Sequence, residues 1–225
     1  PEGTLVIAER QTAGRGRRGR QWHSEPGQAI FMSLILRPSM PLKELSRITP
    51  FIAVALVDTL ERFGIEAGIK WPNDVLINGR KIAGILTEAV TDMDGIEYIV
   101  TGIGLNVNNR IVDFPEEIRD IATTIREETG RCIPRVEVLH EFLGQLERSY
   151  RQLLTGGFNE ILERLRSLSL VIGRDVKIHS VNGISSGRAI DIDNNGFLMV
   201  RDSSGNIHNV MSGEVLFKTE PEKTS

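Results

Sequence analysis

The apolar and polar positions divide this chain into two parts with different patterns. Before Leu170, short apolar runs that predict strands are separated by longer segments in which apolar residues recur at helical spacing. After Leu170, short strands alternate closely with glycine-containing turns, which is the pattern of a small β-barrel. We therefore predict a first domain over residues 1–169, a small second domain over 170–219 and a polar tail over 220–225.

The first part is predicted to combine strand hairpins with helices. Strands are expected over residues 4–9, 29–36, 66–70, 74–77, 81–90 and 98–105, and helices over 42–63, 136–154 and 158–168. Pro50 either starts the first helix or kinks it. Asn78-Gly79, between two apolar runs, is a strong hairpin signal. Strands that arrive in hairpins predict an α+β fold with a mixed or antiparallel sheet rather than a βαβ repeat.

The second part is predicted to contain short strands joined by tight turns. The strands are expected over residues 175–179, 187–192, 197–201 and 207–210. The turns are expected at Asn182-Gly183, Asn195-Gly196 and Ser204-Gly205.

One polar stretch of the first part concentrates positive charge in a chain whose net charge is -3. From Gln11 to Trp22 it reads Gln-Thr-Ala-Gly-Arg-Gly-Arg-Arg-Gly-Arg-Gln-Trp, with four arginines among three glycines. Glycine lets a backbone approach a ligand closely, and arginine donates paired hydrogen bonds to carboxylate and phosphate oxygens. The stretch therefore predicts a flexible loop that closes over an anionic ligand, with Trp22 placed to stack on a flat ring. A solvated loop and a contact for single-stranded nucleic acid are the alternatives.

The composition narrows the class of protein. A hydrophobic content of 40% and a charged content of 25% are ordinary for a soluble globular chain, and a pI near 5.9 argues against a general nucleic-acid binder. The single cysteine, Cys132, predicts a reducing compartment, so we expect a cytoplasmic protein. The sequence has no apolar run of about 18 residues that would predict a membrane span. Its four histidines are scattered, so no metal ligands are assigned.

Two further stretches place a lysine beside a strand. Lys70-Trp71-Pro72-Asn73-Asp74 predicts a stiff corner in which Asp74 is placed to coordinate magnesium or to accept a hydrogen bond from a ligand. The alternative is a structural turn around a buried tryptophan. Lys81 begins an apolar strand in which Gly84 lets a group approach the sheet closely. The alternative is a lysine that extends into solvent.

A third stretch, Gly102-Ile103-Gly104-Leu105-Asn106-Val107-Asn108, has two glycines two residues apart. It is not a dinucleotide fingerprint, because the third glycine of that motif is absent. We expect these glycines to pack under a ligand and Asn106 to present an amide at the end of the strand. The alternative is a β-bulge followed by an Asx turn.

Together these stretches resemble the biotin protein ligase family. Residues 14–22 resemble its arginine-glycine signature, and Gln11 stands where the family has a biotin-contacting glutamine. The family's Lys-Trp-Pro-Asn-Asp, Lys-x-x-Gly-Ile-Leu and Gly-x-Gly-x-Asn elements match residues 70–74, 81–86 and 102–108, and Gly213-Glu214 is similar to its C-terminal domain. The resemblance implies an α+β fold with helices on one side of a mixed or antiparallel sheet, as in class II synthetases and lipoate ligases. A small SH3-like β-barrel follows it.

The resemblance implies a reaction in two steps. The carboxylate of biotin attacks the α-phosphate of ATP, giving biotinyl-5′-AMP and pyrophosphate, and a lysine of a biotin carboxyl carrier domain then attacks the mixed anhydride. ATP, Mg²⁺ and biotin are the implied ligands, and the carrier domain of a biotin-dependent carboxylase such as acetyl-CoA carboxylase is the implied partner. A homodimer is compatible with the resemblance, and binding to DNA or to a membrane is not expected for this chain.

The resemblance also implies roles for individual positions. The implied catalytic residues are Lys81, Arg15 and Arg17, with Lys81 as the main stabiliser of charge on the phosphorus oxygens. The implied biotin-binding residues are Gln11, Gly14, Arg15, Arg17, Lys81 and Gly84. The implied nucleotide-binding residues are Arg17, Arg20, Trp22, Asp74 and Asn106.

Two departures from the family pattern and two alternatives remain. The family has a Ser-Thr-Asn element upstream of its first strand, so we expect the catalytic domain over 1–169 to be N-terminally incomplete. Lys218 stands where some relatives have an arginine that reaches the nucleotide, and lysine lacks the paired geometry of that contact. The alternatives are a lipoate or octanoate ligase or transferase of the same fold, and a non-enzymatic Gly/Arg-rich nucleic-acid-binding module.

Overall fold

The computed structural model describes residues 1–23, 25–93, 95–180 and 183–217. Its first strands are β1 Leu5–Ala8, β2 Ala29–Leu36, β3 Gly68–Lys70, β4 Asp74–Ile77, β5 Arg80–Asp92 and β6 Gly95–Asn106. They form one sheet in the order β1-β2-β6-β5-β4-β3, and all neighbouring strands in it are antiparallel. Asn78 and Gly79 have φ values of 51° and 79°, so they form the predicted hairpin turn between β4 and β5. The predicted α+β fold with an antiparallel sheet is confirmed.

The three longer helices pack on one face of this sheet, and a short helix follows its last strand in the chain. They are α1 Ile48–Arg62, α2 Ile125–Thr129, α3 Arg135–Leu154 and α4 Phe158–Leu168. Helix α1 is buried over most of its length because it lies between the sheet on one side and α3 and α4 on the other. Pro50 lies in the first turn of α1, where its missing N–H breaks no helical hydrogen bond, so it starts the helix rather than kinking it. Within the described ranges, no helix is both long and apolar enough to span a membrane.

The two faces of the sheet carry different side chains because strand residues alternate between faces. On β5 and β6, Ile85, Ile103 and Leu105 belong to the core that the helices cover. Gly84 and Gly104 lie between these positions and open the opposite face, where the indole of Trp22 lies against them. The helix-free face is therefore the one that the arginine-glycine loop covers.

The second sheet contains β7 Asp175–Ser180, β8 Gly183–Ile192, β9 Leu198–Arg201, β10 Ile207–Val210 and β11 Glu214–Phe217. It is antiparallel in the order β10-β9-β8-β7-β11, which agrees with the predicted small SH3-like barrel. Strand β11, which pairs with β7, was not predicted from the sequence. The boundary near Leu170 stays a prediction. Lys218, the tail over 220–225 and Asn182 of one predicted turn lie outside the described residues.

The second sheet packs against the first part of the chain through apolar and polar contacts. Its buried residues, such as Val176 and Leu198, belong to the same hydrophobic core as α1 and β5. Trp71 is 2% exposed, and its indole Nε1 donates a hydrogen bond to the carbonyl oxygen of Gly196 at 3.0 Å. The guanidinium of Arg166 donates to both carboxylate oxygens of Asp191 at 2.7 and 3.0 Å. The corner that contains Trp71 is thus held from both parts of the chain.

The hydrogen bond of Trp71 gives a stability prediction. We expect Trp71→Phe to lower the free energy of unfolding by about 1–3 kcal/mol, because the buried carbonyl of Gly196 loses its donor. Urea denaturation of the purified chain measures this difference. Trp22→Phe is the matched control, because the indole Nε1 of Trp22 has no hydrogen-bond partner among the described residues. Equal losses in the two variants would assign the effect to ring size instead of the hydrogen bond.

Candidate active site

Two cavities on the helix-free face share one wall. Cavity A, of about 230 Å³, lies between the arginine-glycine loop, the corner at residues 70–74, the segment around Ala122 and the chain at 213–215. Cavity B, of about 200 Å³, lies between the loop and strands β2, β5 and β6. The residues that line both cavities are Gly16, Arg17, Trp22, Asn73 and Lys81. The two cavities therefore adjoin at these residues.

The arginine-glycine loop folds into a tight hairpin. Arg15 forms an antiparallel bridge with Gln21, and the N–H of Gly16 donates to the carbonyl of Arg20 at 2.7 Å. A Cβ at Gly14 would lie 2.6 Å from the carbonyl oxygen of Trp22, so only glycine fits where the hairpin closes. Gly14 lines neither cavity, and the structure gives this predicted biotin-binding residue a role in shaping the loop.

Trp22 closes the hairpin and lies flat against the glycines of the sheet. A Cβ built on Gly104 would lie 2.6 Å from the indole Cε2, and one on Gly84 would lie 2.8 Å from Cζ3. We expected a ligand above these glycines, whereas the group in contact with them here is the indole of Trp22. The missing Cβ atoms thus let an aromatic wall stand between cavities A and B.

Lys81 is held at the same wall by a salt bridge. Its Nζ lies 2.7 Å from Oδ1 of Asp74 and 5.3 Å from the centroid of the Trp22 ring. The side chain of Lys81 is 34% exposed, so it is half-buried, and it does not extend freely into solvent. A register shift between β4 and β5 lies beside it, and its N–H donates to the carbonyl of Ile121 at 2.7 Å. The backbone and the salt bridge together fix where this ammonium group points.

Arg17 meets Asn73 at the base of the wall. Its Nη1 donates to Oδ1 of Asn73 at 2.8 Å and to the carbonyl of Gly213 at 3.4 Å. Asn73 is oriented by hydrogen bonds from its Nδ2 to Oδ1 of Asp74 at 3.0 Å and to the carbonyl of Ile85 at 3.1 Å. Burial lowers the pKa of Arg17 and the charge of Asp74 opposes this shift, and an arginine stays protonated at neutral pH. A preorganised positive group therefore faces both cavities.

The C-terminal chain contributes acidic and basic groups to cavity A. Glu214 forms a salt bridge with Arg20 and lies 3.8 Å from Nη1 of Arg18. Burial raises the pKa of Glu214, but the hydrogen bond and charge of Arg20 and the charges of Arg18 and Lys70 outweigh it and hold that pKa below its usual value. Burial lowers the pKa of Lys70, whose Nζ lies 5.6 Å from the centroid of the Phe217 ring. Arg18 and Arg20 of the loop therefore share one carboxylate before any anion arrives.

Asn106 ends β6 at the floor of cavity A. It is 4% exposed, and its Nδ2 donates to the carbonyl of Thr123 at 3.1 Å. Its Oδ1 is buried without a hydrogen-bond partner among the described residues. A buried acceptor without a donor is costly unless a ligand satisfies it. Asn106 is thus placed to accept a hydrogen bond from a group in cavity A.

The structure brings most of the predicted residues together. The predicted nucleotide-binding residues that line cavity A are Arg17, Arg20, Trp22, Asp74 and Asn106. The predicted biotin-binding residues that line cavity B are Gln11, Arg15, Arg17, Lys81 and Gly84. The side chain of Arg15 is 77% exposed, and its Nη2 lies 3.8 Å from a carboxylate oxygen of Glu88. No site role was predicted for Lys70, Asn73 or Glu214, although each lies in a motif that the sequence shows.

The acidic groups at cavity A do not form a resident metal site. Asp74 pairs with Lys81 and Glu214 pairs with Arg20. In the described part of the chain, no three or more His, Cys, Asp or Glu side chains are arranged to hold a metal ion. Magnesium prefers a few carboxylates together with water and phosphate oxygens. In this structure the carboxylates of Asp74 and Glu214 therefore serve as partners of basic side chains.

Comparisons with known proteins show which family this chain resembles along its length. Residues 1–106 match the model of the biotin/lipoate A/B protein ligase family, and residues 171–218 match that of the biotin protein ligase C terminal domain. The chain is 44% identical to the bifunctional ligase/repressor BirA of Bacillus subtilis over 216 residues, which cover 96% of this chain and 66% of that protein. It is 33% identical to the biotin--[acetyl-CoA-carboxylase] ligase of Paracoccus denitrificans, covering 89% of this chain and 85% of that protein.

A solved structure extends the similarity to three dimensions. The biotin protein ligase from Aquifex aeolicus in complex with biotin and ATP superposes with a TM-score of 0.83 at 32% identity, covering 98% of this chain and 90% of that chain. The chain therefore belongs to the biotin protein ligase family.

Proposed function

We propose that this chain joins biotin to AMP and then transfers biotin to a lysine of a biotin carboxyl carrier domain. The observation that carries the proposal is the wall of Arg17, Trp22 and Lys81 common to cavities A and B. A reaction between two bound molecules needs adjoining sites and positive charge at the junction. Relatives whose names state biotin ligation, and the Aquifex aeolicus structure that holds biotin and ATP, support the same reaction.

The nucleotide is assigned to cavity A. The free Oδ1 of Asn106 would accept a hydrogen bond from the exocyclic amine of adenine, and Trp22 would cover the ring. Arg17 and Arg20 would bind phosphate oxygens, with Arg20 released from Glu214 as they arrive. Asp74 contributes by holding Lys81.

Biotin is assigned to cavity B. Its ring system would lie in the cavity beside Gly84 and Gln11, and its carboxylate would point toward Arg15, Arg17 and Lys81 at the shared wall. One carboxylate oxygen attacks the α-phosphorus, the bond to the pyrophosphate oxygen breaks, and pyrophosphate leaves with that electron pair. Lys81 and Arg17 stabilise the negative charge that develops on the phosphorus oxygens. Bound Mg²⁺ would supply further charge neutralisation at the triphosphate.

The partner and compartment follow from the same proposal. The acceptor is a lysine of a biotin carboxyl carrier domain, such as that of acetyl-CoA carboxylase, which the names of two relatives contain. The proposed compartment is the cytoplasm, because Cys132 is an exposed free thiol, which a reducing environment preserves. A homodimer stays a prediction.

Exchange of labelled pyrophosphate into ATP tests the first step. We expect exchange that requires biotin and Mg²⁺ and that lipoate does not support. Exchange with lipoate instead of biotin would favour a ligase of the lipoate type. No exchange with either acid, together with salt-dependent binding of single-stranded nucleic acid, would favour the binding module.

The unpartnered amide oxygen gives a sharper prediction. We expect Asn106→Ala to raise the KM for ATP about tenfold and to leave the KM for biotin nearly unchanged, because one hydrogen bond to the base is lost. Steady-state pyrophosphate exchange with each substrate varied in turn gives both constants. Asn206→Ala is the matched control, since Asn206 is exposed in the turn between β9 and β10. An equal rise in both KM values would contradict the assignment of Asn106 to the nucleotide.

A further inference from the structure

A third cavity opens onto the junction of the first two. Cavity C, of about 220 Å³, lies between the start of α1, the corner at residues 70–74, β5 and the second domain at 196 and 211–212. It shares Arg17 and Asn73 with both cavity A and cavity B. It also shares Ile85 and Leu86 with cavity B. All three cavities therefore meet at the hydrogen bond between Arg17 and Asn73.

The walls of cavity C differ chemically from those of cavity A. Of the described residues that line cavity C, Arg17 is the one charged side chain. The others are mostly apolar groups, such as Leu45 and Met211, and hydroxyl groups such as Thr49, whose Oγ1 donates to Oγ1 of Thr87 at 3.0 Å. Cavity A, in contrast, is lined by several arginines and lysines. Cavity C therefore suits an uncharged polar group on an aliphatic stem better than an ammonium ion.

The proposed reaction needs such a group at this junction. The adenylate carbonyl would lie at the shared wall, and the amine that attacks it must be in its neutral form. An apolar passage disfavours an ammonium ion by desolvation, and the charge of Arg17 and the N-terminal end of the 15-residue helix α1 disfavour it further. The methylene chain of a lysine matches the apolar walls.

We propose that cavity C admits the acceptor lysine of the carrier domain, an inference that rests on the proposed function. The neutral amine nitrogen forms a bond to the biotinyl carbonyl carbon. The bond between that carbon and the phosphate oxygen of AMP breaks, and AMP leaves with the electron pair. The surplus proton on the nitrogen passes to water. The product is an amide in place of the mixed anhydride.

Two variants that narrow cavity C test this. Ala89→Phe narrows it from β5, and Ser212→Phe narrows it from an exposed segment of the second domain. Neither residue lines cavity A or B. We expect kcat for biotinylation of a carrier domain to fall at least about tenfold in both, while pyrophosphate exchange stays within about twofold of the unchanged chain. Release of biotin from the adenylate by hydroxylamine, a small nucleophile, should also be retained. Val90→Phe is the matched control, because Val90 is the next residue on β5, is 40% exposed and lines none of the three cavities.

The outcomes separate this inference from the function it rests on. If Ala89→Phe and Ser212→Phe both biotinylate the carrier domain at the rate of the Val90→Phe control, the inference about cavity C is wrong. A higher KM for the carrier with unchanged kcat would also overturn it, because cavity C would then contribute only to surface docking. Parallel loss of exchange and transfer would assign cavity C to the adenylate instead of the lysine. If the chain without substitutions shows no biotin-dependent pyrophosphate exchange, the proposed function itself is refuted.

Discussion

Replacing Lys81 by alanine is expected to reduce biotin-dependent pyrophosphate exchange by about 100- to 1000-fold, the usual effect of removing one preorganised donor to a developing charge. The Nζ of Lys81 lies at the wall between the two cavities, held 2.7 Å from Oδ1 of Asp74. The ammonium therefore needs little reorganisation when charge appears on the α-phosphate. We expect the loss in kcat, together with a higher KM for biotin, because the biotin carboxylate is assigned to the same ammonium group.

Two further variants separate the charge of Lys81 from its role in the fold. Lys81→Arg keeps a positive charge beside Asp74 and should recover part of the activity, although the guanidinium fork places its donors differently. Lys177→Ala removes an exposed lysine of β7 and should leave exchange unchanged. If exchange by Lys81→Ala stays within about threefold of the unchanged chain, Lys81 does not stabilise the transition state. Urea denaturation of each variant checks that the loss is not caused by unfolding.

The elements of this fold were predictable where short-range patterns decide them. Residues 29–36 and 158–168 were predicted as a strand and a helix with the bounds that the structure has for β2 and α4. The apolar spacing of these segments coincides with the face that each buries. Strand β11, Glu214–Phe217, was missed because its four residues carry little pattern of their own. Its pairing with β7 joins residues that are far apart in the sequence, so local residue patterns do not predict it.

The candidate site was predictable to the extent that its residues stand in recognisable motifs. Lys81 and Asn106 were singled out within their motifs, and the structure places both on cavity A. No roles were predicted for Asn73 and Glu214, because the roles of these two residues depend on contacts that form only in the folded chain. Asn73 matters through its hydrogen bond to Arg17, and Glu214 reaches the loop from almost the other end of the chain. Electrostatic partners of this kind follow from tertiary packing, which local spacing does not encode.

A glycine of β6 contacts a different group from the one that was predicted for it. Gly104 was expected beneath a ligand, and the structure places the indole of Trp22 there, 2.6 Å from where a Cβ would stand. Gly102 lies two residues earlier on the same face, and its Cβ would meet no atom nearer than 3.7 Å. The two glycines therefore offer a comparison in which one added methyl group displaces Trp22 and the other fits without a clash.

We expect Gly104→Ala to raise the KM for ATP by about 10- to 100-fold, the range expected when a base loses its aromatic stacking partner. The added methyl group cannot coexist with the indole at its present position, so Trp22 must leave the sheet and the wall of cavity A is lost. Gly102→Ala should leave the KM for ATP unchanged, because its methyl group makes only ordinary van der Waals contact. Steady-state exchange gives the KM. Because Trp71 also fluoresces, the tryptophan fluorescence of each variant is compared with that of the same variant carrying Trp22→Phe, and the difference reports the environment of Trp22. A change in fluorescence without a change in KM would mean that Trp22 packs against the sheet for the stability of the loop and takes no part in binding the nucleotide.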